Sequence, residues 1–297
     1  MTPAIIDGLF QGMVYGILAV GLVVIYRGSR TINLSYGPTG MVAAFTFFEL
    51  RQGFRLSGGN KALLYHHHSI WLPLVLAVGL GGVLGAATEV FVARPLRNQP
   101  RITVMIGTLA FGSLLLTFAI RRWGSNANQA EPLIHGTALT IGGYNVSWEQ
   151  IVILIGATGV LVGLRLVERH TGLGAAVRAS AVDPYAAGLT GINVNRISIL
   201  TWTAAGVLSA GSAIVLAPTM TLSTGGTYDL LLRALVAAVV GGLTSVAGAF
   251  SAGLGLGLLE SVITYKSTIT GLTDLILAVV LIVVLFVRPA GLVQSRF

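Results

Sequence analysis

Eight apolar stretches of this chain carry no Asp, Glu, Lys or Arg: 8–26, 31–48, 62–88, 102–120, 150–164, 197–228, 234–259 and 275–287. A helix crosses about 30 Å of hydrocarbon in about 20 residues. Allowing helix ends to carry charge, we read nine hydrophobic segments: 8–26, 32–50, 69–93, 102–120, 149–168, 197–217, 229–247, 249–268 and 271–289. A transmembrane barrel would instead show segments of about ten residues with alternating polarity. Only 9% of the 297 residues are charged and 54% are hydrophobic, with mean hydropathy +0.85. Soluble domains carry roughly 25% charged residues, so a soluble fold, a disordered chain and a coiled coil are excluded. The 39 glycines suit helices that approach closely in a membrane. The expected fold is all-α: a polytopic transmembrane helix bundle forming a single domain over 1–297.

The second segment, 32–50, is irregular. Asn33, Ser35, Tyr36, Pro38 and Thr39 cluster beside Gly37 and Gly40 in an apolar run. Proline removes a backbone donor, which predicts a broken helix near 33–41. Irregular backbone at membrane depth survives only where it is buried in protein or lines a water-filled cavity. The segment is therefore the candidate substrate path, with a packing kink as the alternative. If 32–50 only dips into the bilayer, the segments number eight and the N-terminus changes sides. With the C-terminus cytoplasmic, the inside segments hold 11 Lys and Arg and the outside segments 7, the expected bias. The N-terminal MTPAIIDGLFQG lacks the basic region of a cleaved signal peptide, so the first run is expected to stay as a helix.

Between the fifth and sixth segments, 169–196 reads as a cytoplasmic elbow of two short helices. Thr171 caps a helix ending near Val182. Asp183 caps a second, with Pro184 at its first position and Gly191 as its stop. An amphipathic surface loop is one reading. A docking element for a cytoplasmic partner, with Ala186 and Ala187 as a small knob and Gly191 behind, is the other. Residues 121–148 form the extracytoplasmic loop. Glu260 lies well inside the eighth segment, where a charge must face the bundle interior. It either lines the path or partners an interior Arg or backbone amide. Asp229 and Arg233 have the spacing of a local helix pair. Arg94, Arg97 and Arg101 form a basic turn that meets anionic headgroups or a partner.

The absence of cysteine excludes disulfides, Cys-ligated zinc and thiol catalysis. Three adjacent histidines, His66-His67-His68, have no acidic residue near to complete a metal site, and no metal is expected. His135 and His170 are single loop histidines. The net charge of +8 is expected to follow membrane orientation, with lipids and not nucleic acid as partners. The chain has two lysines, Lys61 and Lys266, neither in the Gly-x-x-x-x-Gly-Lys-[Ser/Thr] setting of a phosphate-binding loop. No cofactor is expected on this chain; if ATP drives it, hydrolysis occurs on another.

Five segments, in order from end to end of the chain, carry a resemblance. Asn33-Leu-Ser-Tyr-Gly-Pro-Thr-Gly-Met41, Arg94-Pro-Leu-Arg97, Gly241-Gly-Leu-Thr-Ser-Val-Ala-Gly248 and Arg288-Pro-Ala-Gly-Leu292 are similar to stretches of the branched-chain amino acid permease family of bacterial ABC importers. Tyr185-Ala186-Ala187-Gly188-Leu189-Thr190-Gly191 resembles the Glu-Ala-Ala-x-x-x-Gly loop of such permeases, with Tyr185 in place of Glu. Thr244 likewise replaces a glycine, and Leu258-Leu-Glu-Ser261 extends the likeness. The resemblance implies a permease subunit, not an enzyme, in the plasma membrane. It implies P-loop ATPase subunits meeting 184–191, a second permease identical or related, and an extracytoplasmic solute-binding protein meeting the outer loop. Branched-chain amino acids are the implied cargo; urea, amides and small carboxylates are the alternatives. An intramembrane enzyme lacks its nucleophile–base constellation here. An autonomous carrier fits poorly with the long elbow and the lack of paired intramembrane carboxylates.

Overall fold

The computed structural model describes residues 2–52, 70–124, 130, 136–141, 144–218, 227–267, 271–288 and 291. Each of the nine apolar runs forms a helix: α1 (Thr2–Ser29), α2 (Tyr36–Gln52), α3 (Trp71–Thr88), α4 (Arg101–Trp123), α5 (Trp148–His170), α8 (Val194–Leu216), α9 (Thr227–Gly241), α10 (Val246–Lys266) and α11 (Leu272–Val287). The two short helices α6 (Gly172–Val182) and α7 (Pro184–Leu189) lie between α5 and α8. Among the described residues, six helices are long and apolar enough to cross a membrane: α1, α3 with its extension to Ala93, α4, α5, α8 and α10. The others, α2, α9 and α11, have 17, 15 and 16 residues.

Side-chain contacts between helix ends fix the direction of each long helix. Arg30, just past α1, donates from Nε to the Ala181 carbonyl at 3.0 Å. Arg97, before α4, donates to Asn195 at 2.7 Å. The end of α1, the joint into α4, the elbow and the start of α8 therefore share one end of the bundle. At the opposite end, Arg122 and Trp123, finishing α4, both hold Glu49, near the end of α2. Gln150, starting α5, meets Asp7 at 3.2 Å, and Ser261, late in α10, donates to the Ala4 carbonyl at 2.6 Å. Among the described residues, helices α1–α5 and α8–α11 thus alternate in direction, with Thr2 at the end away from the elbow and Gly291 at the elbow end, beside Gly242.

Segment 33–41 differs from its expected form. It is not a kink inside one helix. Helix α1 stops at Ser29, Arg30 takes a positive φ of 55°, and α2 begins at Tyr36. Pro38 is the third residue of α2, where its missing N–H has no helical acceptor to lose.

Helix α1 is the hub. Gly8, Gly12 and Gly16 form a small-residue stripe facing Gly253 and Gly257 of α10, and a Cβ on Gly12 would lie 2.8 Å from the Leu254 backbone. Gly81 and Gly85 of α3 meet Gly206 of α8 in the same way. Without water between membrane helices, such close backbone approach supplies the association energy. The core around α1 holds Tyr15, Leu18, Leu22, Trp202 and Leu256. A second cluster holds Phe45, Phe47, Phe48 and Trp123, with Phe45 stacked on Trp123 at 5.1 Å.

A two-stranded hairpin, absent from the all-α expectation, precedes α5: β1 (Thr137–Ile141) pairs antiparallel with β2 (Tyr144–Ser147). The Thr-Ala-Leu-Thr-Ile and Tyr-Asn-Val-Ser runs around Gly142-Gly143 are its sequence signal. Ser147 then caps α5 in a reciprocal box with Gln150.

Candidate functional site

The elbow is built by local chemistry. The Thr171 side chain accepts from the Gly174 amide to start α6. The Asp183 carboxylate accepts from the Tyr185 and Ala186 amides at 2.9 and 3.0 Å, and Pro184 opens α7. Gly191 has φ +86°, the left-handed conformation that ends such a helix without a Cβ penalty. The elbow is clamped to the bundle at several points. Arg27 of α1 pairs with the Glu168 carboxylate, and Arg178 of α6 donates to the Glu168 carbonyl. Gly174 lies so close to the Glu168 backbone that no side chain fits there.

The outward surface of the elbow is apolar. Val182, Tyr185 and Leu189 are 67%, 77% and 75% exposed. Tyr185 and Leu189, four residues apart in α7, share one flank of that helix, and Val182 closes α6 just before it. Ala186 and Gly188 are also exposed, but Ala187 is buried at 4%. The expected Ala186-Ala187 knob is therefore divided: Ala186 faces out, and Ala187 packs inward. Tyr185 and Leu189 supply the prominent surface.

The residues expected along the substrate path lie inside the protomer. Asn33, Ser35, Tyr36, Gly37, Pro38 and Thr39 are all buried. Asn33 Oδ1 accepts from the Ser35 amide at 2.9 Å and its hydroxyl at 2.7 Å. The Leu34 amide donates to Thr108 at 3.1 Å, and Ser209 donates to the Tyr36 carbonyl at 2.6 Å. The Leu34 amide, freed between α1 and α2, is thus met by a side chain of α4, and the first carbonyl of α2 by one of α8. That satisfaction is what permits the irregular stretch inside an apolar bundle.

Glu260 is held by Arg233, whose Nε and Nη2 reach both carboxylate oxygens at 3.1–3.3 Å. Arg233 also contacts Asp274 at 3.4 Å and lies over the Tyr15 ring at 6.0 Å. The local Asp229–Arg233 pair is replaced by this cross-helix fork because a bidentate partner 12% exposed outcompetes a solvated one. Breaking such a pair by removing one member costs about 3–5 kcal/mol, whereas replacing both with apolar groups is close to neutral. Arg233→Met should therefore lower the thermal unfolding midpoint sharply, and adding Glu260→Leu should restore it. Equal midpoints for single and double variants would show that the pair does not hold α9 to α10.

The basic turn has an inner role the sequence did not disclose. Glu89, fully buried in a π-helical turn (Glu89–Ala93), takes Arg94 and Arg97 at 3.2 and 3.0 Å. Arg94 and Arg97 thus neutralise a carboxylate within their own joint. The expectations for His66-His67-His68 and His135 lie outside the described residues.

The whole arrangement can be set against known proteins. The chain matches the family described as branched-chain amino acid transport system / permease component over residues 4–285. It belongs to that family. The permease is 27% identical over 300 residues to the high-affinity branched-chain amino acid transport system permease protein LivH of Salmonella typhimurium, covering 96% of this chain and 93% of the relative. It is 27% identical over 295 residues to the permease protein BraD of Pseudomonas aeruginosa, covering 97% and 94%. It also resembles the ribose import permease protein RbsC of Escherichia coli, at 27% over 256 residues, covering 81% and 69%. No solved structure matches. The permease is a multi-pass membrane protein. The motifs read from its sequence fall at the α1–α2 joint, the turn before α4, the elbow and the α9–α10 joint. The clamp residues went unread: Arg27, Glu168 and Arg178 are ordinary charges in sequence, and only the folded contacts at Glu168, including its pairing with Arg27, 141 residues away, distinguish them.

Proposed function

We propose that this permease is the transmembrane subunit of an ABC importer that moves branched-chain amino acids across the plasma membrane by alternating access. The observation that carries the reading is the family match along the chain, joined to an elbow whose apolar side chains are left exposed by the described residues. P-loop ATPase subunits seat on Tyr185, Ala186 and Leu189, and nucleotide is hydrolysed there, not on this chain. An extracytoplasmic solute-binding protein delivers cargo at the opposite end, around the end of α4 and the hairpin. A second permease, identical or related, completes the pathway, because one subunit forms only half of it.

The alternation of helix ends supports nine membrane segments. A crossing by α2 is supported by the end of α1 and the joint into α4 lying together at the elbow end. The arginine bias puts the elbow and the C-terminus on the cytoplasmic side. Nucleotide shifts the inward–outward equilibrium only by its differential affinity for the two states. The belt from Asn33 to Thr39 acts on the path from behind, fixing the position of α2, while Glu260 and Arg233 set the charge near the outer end.

The test is uptake in proteoliposomes holding the permease, its ATPases and its binding protein. ATP-dependent leucine uptake, competed by isoleucine and valine and unaffected by ribose, urea or acetamide, is the expected result. Uptake of any of the last three in place of leucine would overturn the cargo assignment.

A further inference from the structure

A cavity of about 410 Å³ opens between the end of α1, the turn before α4, the elbow and the start of α8. None of its fifteen lining residues is acidic, and three are arginines: Arg30, Arg97 and Arg101. Arg97 is neutralised by Glu89 at 3.0 Å. Arg30 gives Nε to the Ala181 carbonyl, and its remaining guanidinium donors have no carboxylate among the described residues. Arg101 makes no ion pair among the described residues and is exposed. Two cationic side chains therefore converge on this space without a counter-charge from the protein.

Three further features point to an anion. Helix α4 runs for 23 residues, and its N-cap, Pro100, provides no side-chain cap. The Thr103 amide is taken by the Pro100 carbonyl at 2.9 Å; the amides of Arg101 and Ile102, beside Gln99 and Val104 in the cavity wall, have no helical acceptor and can meet a negative group. The wall also contains Ser180 and Ser198, each 2% exposed, and neither hydroxyl has a hydrogen-bond partner among the described residues. A buried hydroxyl without a partner costs about 1–3 kcal/mol. Arg30 is the single described non-glycine residue with positive φ, a conformation costing roughly 1–2 kcal/mol.

We propose that this cavity is a binding site for a phosphate-bearing anion, held by Arg30, Arg101, the start of α4 and the hydroxyls of Ser180 and Ser198. Guanidinium groups and helix amides match phosphate oxygens in geometry and charge. The cavity sits at the end of the bundle, where a phospholipid headgroup and a free phosphate both have access. The inference stands on the cavity itself and does not require the cargo assignment above.

The test uses the full-length permease in nanodiscs. In phosphatidylcholine discs, inorganic phosphate is titrated and the unfolding midpoint followed. In parallel discs, a fifth of the lipid is phosphatidylglycerol, and native mass spectrometry counts the lipids retained. A phosphate-dependent rise in midpoint assigns a free anion; retention of phosphatidylglycerol with a raised midpoint assigns a headgroup. Arg101→Gln, at an exposed position with no internal ion pair, should weaken the effect roughly tenfold, the scale of one charge-assisted hydrogen bond. Ser198→Ala, which removes no protein partner, should weaken it in the same direction. Arg196→Gln, an exposed arginine at the same end, should leave it unchanged. Equal losses in Arg196→Gln and Arg101→Gln would reduce the effect to general surface charge and overturn the site. So would the absence of any shift with either probe, or a shift seen only when the ATPase is bound, which would make the cavity a socket for a protein carboxylate.

Discussion

Replacing Gly12 with leucine is expected to leave no folded permease. Gly12 is the middle of the Gly8–Gly12–Gly16 stripe, and the atoms its side chain would meet are the Leu254 Cα and carbonyl oxygen, both at 2.8 Å. Backbone cannot rotate aside as the tip of a side chain can, so α1 and α10 must separate. Overpacking a core ordinarily costs about 1–3 kcal/mol. Here the cost is larger, because α1 is the buried hub against which α5, α8, α9 and α10 all pack, and total stability is only about 5–15 kcal/mol. Gly79→Leu is the matched control: the same change on α3, where nothing lies within 4 Å. The measurement is monodisperse yield after detergent extraction and the thermal unfolding midpoint. A Gly12→Leu protein as stable as Gly79→Leu would show that the seam is not what holds the bundle.

Leu189→Asp should uncouple the permease from its motor without harming the fold. Leu189 is 75% exposed and Tyr185 77%, so charge on this flank costs the protomer little, yet a docked ATPase would have to bury it. Hot-spot positions cost about 2 kcal/mol or more when lost, which corresponds to at least about thirtyfold in affinity. ATPase co-purification and ATP-driven uptake should both collapse while the unfolding midpoint holds. Tyr185→Ala should give a weaker version of the same loss. Ala187, 4% exposed, is unsuitable for this test, since a bulky residue there would distort α7 itself. Full ATPase association in Leu189→Asp would remove the elbow from the coupling pathway.

Local features of this protein are legible in its sequence because their causes are local. The runs free of charge became helices, since the bilayer dictates their length and composition. Thr171, Asp183 with Pro184, and Gly191 cap and stop the elbow helices through contacts within three residues. Tertiary pairings were not legible. Arg233 has Asp229 four residues away, but reaches Glu260, 27 residues on, across a helix seam. Arg94 and Arg97 read as surface charge and instead hold Glu89 in the interior. Small polar residues in an apolar run, as at Asn33–Thr39, are ambiguous in the same way. Hydroxyls and amides that line water and those that satisfy a neighbouring helix have the same composition, and the contacts with Thr108 and Ser209 become visible only in the folded chain.

The clamp on the elbow has a mechanical consequence. Arg30 ties the elbow to α1, Arg27 ties α1 to Glu168 at the end of α5, where Arg178 of the elbow also bonds, and the glycine seam locks α1 to α10 with no slack between their backbones. A push on α6 and α7 is therefore delivered to α1 and α10 together as a rigid lever, not absorbed by bending between them. In the proposed assembly of two permease subunits, the give that opens and shuts the passage comes from sliding and tilting where one subunit meets its neighbour.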